Sequence, residues 1–170
     1  GTRTGTSTQA TGLTSFGDFA VGNTTVTFTI TATASAGGTI TPSGGVSVTY
    51  GNSQSFTIAP NTGYHTDSVV VDGVNLGAVA SHNFTNVTAN HTIAAYFSPD
   101  VFTITATASA GGSITPSGSV NVNYNANQSF TVSPNTGYHT DSVVVDGVNL
   151  GVVASHDFNT VTANHTIAAY

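Results

Sequence analysis

The stretch PNTGYHTDSVVVDGVNLG occurs twice in the chain, at Pro60–Gly77 and again at Pro134–Gly151, without one changed letter. Its Asp72-Gly73 pair lies between two apolar runs, and Asp-Gly favours the two positive φ angles that a type I′ turn requires. The block therefore predicts a β-hairpin in each copy. It also holds His, Asp, Tyr and Ser side chains, the residue types of catalytic and metal sites, so it raises a chemical hypothesis beside the architectural one.

The duplication extends well beyond this block. Residues 28–96 and 102–170 align at a constant offset of 74 without insertion, and 56 of the 69 aligned positions are identical. A Gly/Thr/Ser-rich stretch precedes the first copy, and FSPD (Phe97–Asp100) joins the two copies. The repeat predicts three parts: an N-terminal arm or closing strand of a preceding domain (1–25), a first β repeat (26–99) and a second β repeat (100–170).

Each repeat has the pattern of an all-β unit. In FTITATAS (Phe28–Ser35), Phe, Ile and Ala alternate with Thr, which is the period of two expected of a half-buried strand. TITP (Thr39–Pro42) ends at a proline, a residue that suits a strand end. No segment has a convincing 3.6-residue apolar period. We predict six or seven short strands per 74-residue repeat, packed as a small β-sandwich or β-grasp-like unit, plus an extended N-terminal arm.

The composition excludes several classes of function. Arg3 is the only cationic side chain in 170 residues, and the net charge at pH 7 is −6. Nucleic acids and anionic membrane surfaces bind clustered Lys and Arg, so neither is an expected partner. No apolar run approaches the roughly 20 residues of a membrane helix, so we predict no membrane insertion. The chain has no Cys, and therefore neither disulfides nor thiolate metal sites.

The order of short motifs in both copies resembles that of a known family. Gly-Gly, Pro-Ser-Gly, Gly-Tyr, Val-Asp-Gly and Asn-His-Thr-Ile follow one another twice between residues 26 and 170. This order is similar to the divergent InlB B-type bacterial surface repeat, in the version carried in many copies by secreted proteins of Bacteroidetes and their relatives. The resemblance implies a β-sandwich or grasp-like module, exported and strung in tandem on large surface proteins, with no general catalytic residues. The arm's ATGLTSFGDFAVGN (Ala10–Asn23) resembles the closing strand of a domain that often precedes such repeats.

The HTD motif, at His65–Asp67 and again at His139–Asp141, is the sharpest chemical signal. On a strand, residues i and i+2 point to the same side, so the imidazole and the carboxylate of each copy can pair or share a ligand. His65, Asp67, His139 and Asp141 are therefore weak candidates for a metal site, which would need a third group from another histidine of the repeat. A histidine at a loop edge beside a solvated Asp is the alternative. We predict no cofactor and no enzymatic activity.

Other polar residues of the repeat have structural interpretations. The hairpin turn is predicted to account fully for Asp72 and for its copy Asp146. His91 alternates with Ile93 on the closing strand, which predicts a partly buried, hydrogen-bonded histidine. Tyr64 is predicted to cap the core with its ring while its hydroxyl reaches a partner.

Two serines are candidate modification sites. Ser68 and Ser142 each lie between an Asp and a Val. This resembles the Bacteroidetes O-glycosylation pattern of Asp, then Ser or Thr, then an apolar residue. Both serines are predicted attachment sites if the source is such a bacterium.

The predicted function follows from the small size of each repeat's core and from sheet edges that have no Lys to block pairing with another strand. An all-β unit of about 70 residues without disulfides usually needs docking or oligomerisation. Edge strands here lack the Lys residues that normally block pairing with other chains. Our leading hypothesis is an extracellular structural protein, a cell-surface stalk or filament subunit. Copies would meet by end-to-end and strand-addition contacts, with Thr2–Val26 as a possible donor strand.

The alternative function is a carbohydrate- or surface-binding accessory module of a large secreted adhesin or enzyme. Glycan sites use exposed aromatic platforms, and the chain has no Trp. Tyr64 and Tyr138, together with Tyr50 and Tyr124, are the tyrosines placed for that role. For either function we predict an extracellular or cell-surface location. The absence of Met predicts a processed or excised piece, so we expect the chain to be a mature fragment of an exported protein, as the resemblance implies.

Overall fold

The computed structural model describes residues 25–170, which form sixteen β-strands and no helix. The predicted arm therefore lies outside the described residues, apart from Thr25. The eight strands of the first repeat are β1 (Thr27–Ala34), β2 (Gly38–Thr41), β3 (Gly44–Thr49), β4 (Gln54–Pro60), β5 (Tyr64–Val71), β6 (Val74–Asn75), β7 (Ser81–Phe84) and β8 (His91–Pro99). The second repeat has β9 (Val101–Ala108), β10 (Gly112–Thr115), β11 (Gly118–Asn123), β12 (Gln128–Pro134), β13 (Val143–Val145), β14 (Val148–Asn149), β15 (Ser155–Phe158) and β16 (His165–Ala169).

The all-β prediction with two tandem repeats is confirmed, while the predicted six or seven strands per repeat is too low. Each repeat has eight strands, of which β6 in the first repeat and β14 in the second are only two residues long. The hairpin itself forms as predicted. Val71 pairs with Val74 across Asp72 and Gly73, whose φ angles are 48° and 83°. Both values are positive, as a type I′ turn requires.

Each repeat contains two sheets. The larger sheet has the order β3-β1-β8-β5-β6 in the first repeat and β11-β9-β16-β13-β14 in the second. The smaller sheets are β2-β4-β7 and β10-β12-β15. The first and last long strands of a repeat, β1 and β8, are parallel neighbours inside the larger sheet. Because parallel strands run the same way, the chain enters a repeat at one end and leaves at the other, which suits end-to-end stacking.

The core of each repeat lies between its two sheets. The larger sheet supplies Ile30, Ala32, Val48, Val69, Ile93 and Ala95, and the smaller one supplies Ile40, Phe56, Ile58 and Phe84. The second repeat has its own cluster around Phe130, built from the matching positions. Every buried residue of the described chain is apolar. The alternation of apolar and polar residues along the strands thus places the apolar set inside, as the sequence predicts.

Candidate functional site

The hairpin aspartate of each repeat binds the closing strand. Asp72 Oδ1 accepts hydrogen bonds from the Thr92 backbone N–H at 2.7 Å and from its hydroxyl at 3.3 Å, and Asp72 Oδ2 lies 2.6 Å from His91 Nδ1. Asp146 repeats these contacts with Thr166 and His165. The prediction that the turn alone accounts for this aspartate is therefore wrong, because its carboxylate also ties β8 to the hairpin.

His91 is the partly buried, hydrogen-bonded histidine that the sequence predicts. Its side chain is 28% exposed, and its ring lies 4.9 Å from the Phe84 ring, measured between centroids. The His82 ring lies 4.7 Å from Phe84 on an edge-to-face contact. Phe84 thus contacts both histidine rings, so this cluster extends the packing of the core towards the surface.

The stability of each repeat should fall in acid because of this aspartate. Burial alone would raise the pKa of Asp72, but the hydrogen bonds from Thr92 and His91 and the charge of His91 outweigh it and hold the pKa below its ordinary value. The pKa of Asp146 is lowered by the same balance of contacts. A carboxyl whose pKa is lower in the folded state stabilises the fold above its unfolded pKa of about 4, and this stabilisation is lost as pH falls further.

Urea unfolding below about pH 5 should therefore show a falling free energy of unfolding. The double variant Asp72→Asn and Asp146→Asn should be less stable at neutral pH and should lose part of that acid-side slope. Asp157→Asn is the matched control for removing a surface carboxyl, since the first repeat already has Asn83 at that position. If the free energy of unfolding of the double variant falls with acid as steeply as that of the wild type, Asp72 and Asp146 do not cause the loss of stability.

The first HTD motif lies where the two repeats meet. His65 Nε2 is 3.2 Å from Asp67 Oδ1, and His65 Nδ1 is 3.0 Å from Asp100 Oδ1 in the linker between the repeats. The Ser98 hydroxyl donates to the second oxygen of Asp67. Asp67 is the extra residue of a β-bulge, since Thr66 pairs with Phe97 and Ser68 with Tyr96. A bulge re-aims a side chain, and here the carboxylate turns towards the linker.

This geometry does not suit a metal ion. The two carboxylates contact opposite nitrogens of the His65 ring, so they cannot converge with it on one ion. Within residues 25–170 no group of three or more His, Cys, Asp or Glu has an arrangement that could hold a metal. His139 and Asp141 also pair, at 2.9 Å, and both are more exposed than their copies. The imidazole and carboxylate of each motif therefore lie within pairing distance, although His139 and Asp141 lie outside a strand and Asp67 lies at a bulge.

A tyrosine lying on a glycine completes the contact between the repeats. Gly63 has φ +75°, and a methyl group there would overlap the ring of Tyr124 from the second repeat. The Asp100 backbone N–H donates to the Gly63 carbonyl at 2.8 Å, and its carbonyl accepts from the Tyr124 N–H at 2.7 Å. We call Gly63, His65, Asp67, Asp100 and Tyr124 the repeat joint. It combines backbone hydrogen bonds, a charged cluster and an aromatic contact.

The matching residues of the second repeat are more exposed, because the sequence ends at Tyr170 and does not contain the positions that correspond to Phe97–Asp100. His139 is 87% exposed where His65 is 53%, and Asp141 is 72% exposed where Asp67 is 40%. A methyl group on Gly137 would meet no atom within 4 Å. β13 has three residues where β5 has eight, and it pairs with β16 through Val143–Val145 alone. We call Gly137, Tyr138, His139 and Asp141 the distal face.

The predicted aromatic platforms fall into two classes. Tyr64 and Tyr124 are half-buried, the first over Gly37 and the second over Gly63 at the joint. Tyr50 and Tyr138 are 60% and 63% exposed. Tyr138 borders a cleft with Gly111, Gly112, Pro134 and Tyr170, and the matching position in the first repeat holds Phe97 against Gly38. The sequence ends at Tyr170, one position before the counterpart of Phe97, so this cleft does not favour Tyr138 as a platform. Glycan binding stays a prediction.

Ser68 and Ser142 are both partly exposed, at the bulge of β5 and just before β13. Nothing in their contacts tests glycosylation, which stays a prediction. Sequence reasoning missed the roles of Asp100 and Gly63. The sequence predicts FSPD only as the segment that joins the two copies, and it predicts no contact for Gly63. The available signal was that Asp100 is one of seven acidic residues in a chain with so few charges.

Comparison with known proteins gives one match. The family described as the divergent InlB B-repeat domain matches two tandem segments, residues 28–101 and 102–170. No curated protein and no solved structure matches the chain.

Proposed function

Because the chain belongs to the divergent InlB B-repeat domain family, as the order of its motifs predicts, we propose that it is an extracellular structural module, a stalk or filament subunit in which repeats stack end to end. Domains of this family are typical of bacterial surface and secreted proteins. The family and the all-β fold suggest a non-catalytic module. The observation that carries the proposal is the repeat joint, because it gives consecutive repeats a defined contact in place of a free linker.

The path of the chain supports the stalk. β8 passes through Asp100 into β9, so the parallel pair at the centre of one larger sheet leads directly into that of the next. The linker residues Phe97–Pro99 still pair with β5, and Asp100 is held by Gly63 and His65. Because this linker is hydrogen-bonded to both repeats, it fixes the orientation of one repeat relative to the other. A flexible linker would leave that orientation free.

Strand addition is the second part of the proposal, and it involves one of the two edges of each larger sheet, the edge opposite the short strands β6 and β14. β3 and β11 are the edge strands there, and neither contains a charged residue or a proline. Edges of natural sheets are usually guarded by such residues, so these two strands are suited to pairing with another chain. The donor predicted from the sequence, Thr2–Val26, lies almost wholly outside the described residues.

Negative-stain electron microscopy of the concentrated protein tests the assembly. We expect filaments or extended particles, and their lateral pairing should be lost in the double variant Ser47→Lys and Asn121→Lys, which places a guard charge on each edge strand. Thr31→Lys with Thr105→Lys is the matched control, since these exposed threonines lie on the interior strands β1 and β9. A monomer at high concentration, with residues 1–25 rapidly removed by protease, would overturn the filament and leave the stalk.

A further inference from the structure

A polar pocket opens on the outer face of each larger sheet, the face turned away from the core. Thr31 lies on this face, since it is exposed between the buried Ile30 and Ala32, and it pairs with Thr92 of the neighbouring strand. The pocket of the first repeat is lined by Thr29, Thr31, Asp72, Asn90, His91 and Thr92, and the equivalent residues of the second repeat line its copy. We call these two sites the threonine pockets.

The hydrogen-bonding groups of the threonine pockets are held in place by the fold. Asn90 Oδ1 accepts the Thr29 backbone N–H at 2.8 Å, and Asn164 Oδ1 accepts that of Thr103 at the same distance. The amide nitrogen of each asparagine, with its two N–H donors, therefore lies on the other side of the amide. Asp72 is fixed by its contacts with the closing strand. Groups that are ordered before a ligand arrives lose little entropy when it binds.

The chemistry of these groups suits a neutral ligand rich in hydroxyls. Threonine hydroxyls donate and accept, the asparagine amide donates, and the Asp72 carboxylate accepts. A sugar needs this mixture, because each of its hydroxyls is both a donor and an acceptor. Neither Lys nor Arg lines either pocket, so an anionic ligand would meet the carboxylate with no cation to offset the repulsion.

An exposed aromatic ring lies on the same face of the first repeat. Tyr96 follows Thr92 on the same side of β8, about 13 Å further along the strand at the usual rise per residue. Its side chain is 47% exposed. The residue between them on this face is Ala94, whose small side chain leaves the path open. An oligosaccharide that enters the pocket can therefore lay another of its rings on Tyr96.

The ends of the sequence do not create these pockets. The residues that precede the second repeat, Phe97–Asp100, are described, and none of them lines the second pocket. The same segment follows the first repeat, where Phe97–Pro99 pair with Tyr64–Thr66, and none of it lines the first pocket. Each flanking segment is thus described for one copy, and the pocket is open in both.

We propose that each threonine pocket binds a neutral saccharide. In the first repeat, Thr31, Asp72 and Asn90 hydrogen-bond its hydroxyls and Tyr96 stacks on a neighbouring sugar ring. This binding goes beyond the proposed stalk or filament and does not depend on either. Sequence reasoning assigned glycan binding to other tyrosines, because the residues of the pocket come from three separate segments of the repeat.

NMR titration of the full, isotope-labelled chain tests the two pockets separately. The neutral probes are maltohexaose, xylohexaose and mannohexaose, each up to about 10 mM, and hexagalacturonate is the anionic probe. At least one neutral probe should shift the backbone signals of Thr31 and Thr92 and the side-chain amide signal of Asn90. The equivalent signals of the second repeat should shift as well. Hexagalacturonate should shift neither set.

Single variants have an internal control, because the other pocket is in the same chain. Thr31→Val should weaken binding at the first pocket by about fivefold to tenfold, the effect of losing one hydrogen bond to a ligand. Tyr96→Ala should weaken it by about threefold to tenfold, the range of an aromatic contact. The second pocket should keep its affinity in both variants. Thr57→Val is the matched control, since Thr57 is an exposed threonine on β4, an interior strand of the smaller sheet.

Three results would overturn the proposal. The first is no shift at either pocket with any neutral probe, and the second is an equal shift with hexagalacturonate. The third is unchanged binding at the first pocket of Thr31→Val. Shifts around Tyr50 or at the distal face, with the pocket signals unmoved, would also overturn it and would place the saccharide on the tyrosines predicted from the sequence. None of these results bears on the stalk or the filament, which electron microscopy tests.

Discussion

Phe56→Ala should lower the free energy of unfolding of the first repeat by about 3–5 kcal/mol, the cost typical of removing a buried phenylalanine ring. Phe56 is fully buried at the centre of the first core, and its ring makes an edge-to-face contact with Phe84 at 5.8 Å between centroids. A small domain has a total stability of about 5–15 kcal/mol, so this one change removes much of it. Urea unfolding, followed by a signal from each repeat, measures the loss.

The variant also tests whether the two cores are separate. Phe130→Ala should have the same effect on the second repeat, because Phe130 has the same burial and the same contact with Phe158. Tyr96→Ala is the matched control, since Tyr96 is 47% exposed and surface changes are usually within about 0.5 kcal/mol. A loss below about 1 kcal/mol for Phe56→Ala, or a similar loss for Tyr96→Ala, would contradict the core described here.

Gly63→Ala should destabilise the chain by about 1–3 kcal/mol more than Gly137→Ala, because it adds overpacking against Tyr124 to the same backbone strain. Both glycines have positive φ angles, +75° and +86°, so each alanine has a similar cost from the left-handed conformation. The surrounding letters are identical, and a second repeat covers only Gly63. The difference between the two variants therefore isolates the joint.

Denaturant unfolding of both variants under dilute, monomeric conditions measures that difference. The Gly63→Ala chain should also lose the coupling between its repeats, so that they unfold in two separate transitions. Equal losses for the two variants would mean that Tyr124 moves away from Gly63 at no cost. The repeat joint would then not fix the orientation of one repeat relative to the other.

The local elements of this fold could be predicted from the sequence, because their causes are local. Alternation in Phe28–Ser35 predicts β1, and Asp72-Gly73 predicts the hairpin, since each depends on neighbours a few residues away. The joint could not be predicted in this way. It brings Gly63 against Tyr124 and His65 against Asp100, pairs that are 61 and 35 residues apart. No periodicity or motif spacing encodes such a contact.

The doubled block shows the same limit most directly. Tyr64–Val71 forms one strand of eight residues, while the identical letters Tyr138–Val145 form a strand only at Val143–Val145. What differs is the neighbour: β5 has Phe97–Pro99 beside it, and the sequence ends at Tyr170, before the positions that correspond to those three residues. The length of this strand therefore depends on the residues that pair with it, and its own letters do not fix it. From its letters the HTD motif is a candidate metal site. In the first repeat, however, its His65 and Asp67 contact Asp100 and Ser98 of the segment that joins the repeats.

In the proposed stalk, the repeat joint fixes the orientation of one repeat relative to the next. Residual dipolar couplings, measured by NMR on both repeats of the wild-type chain in one alignment medium, test it most directly. We predict that a single alignment tensor fits the couplings of residues 28–99 and 101–170 together, and that Gly63→Ala splits it into two. Two independent tensors in the wild type would contradict the account, because the repeats would then be separate domains on a flexible linker.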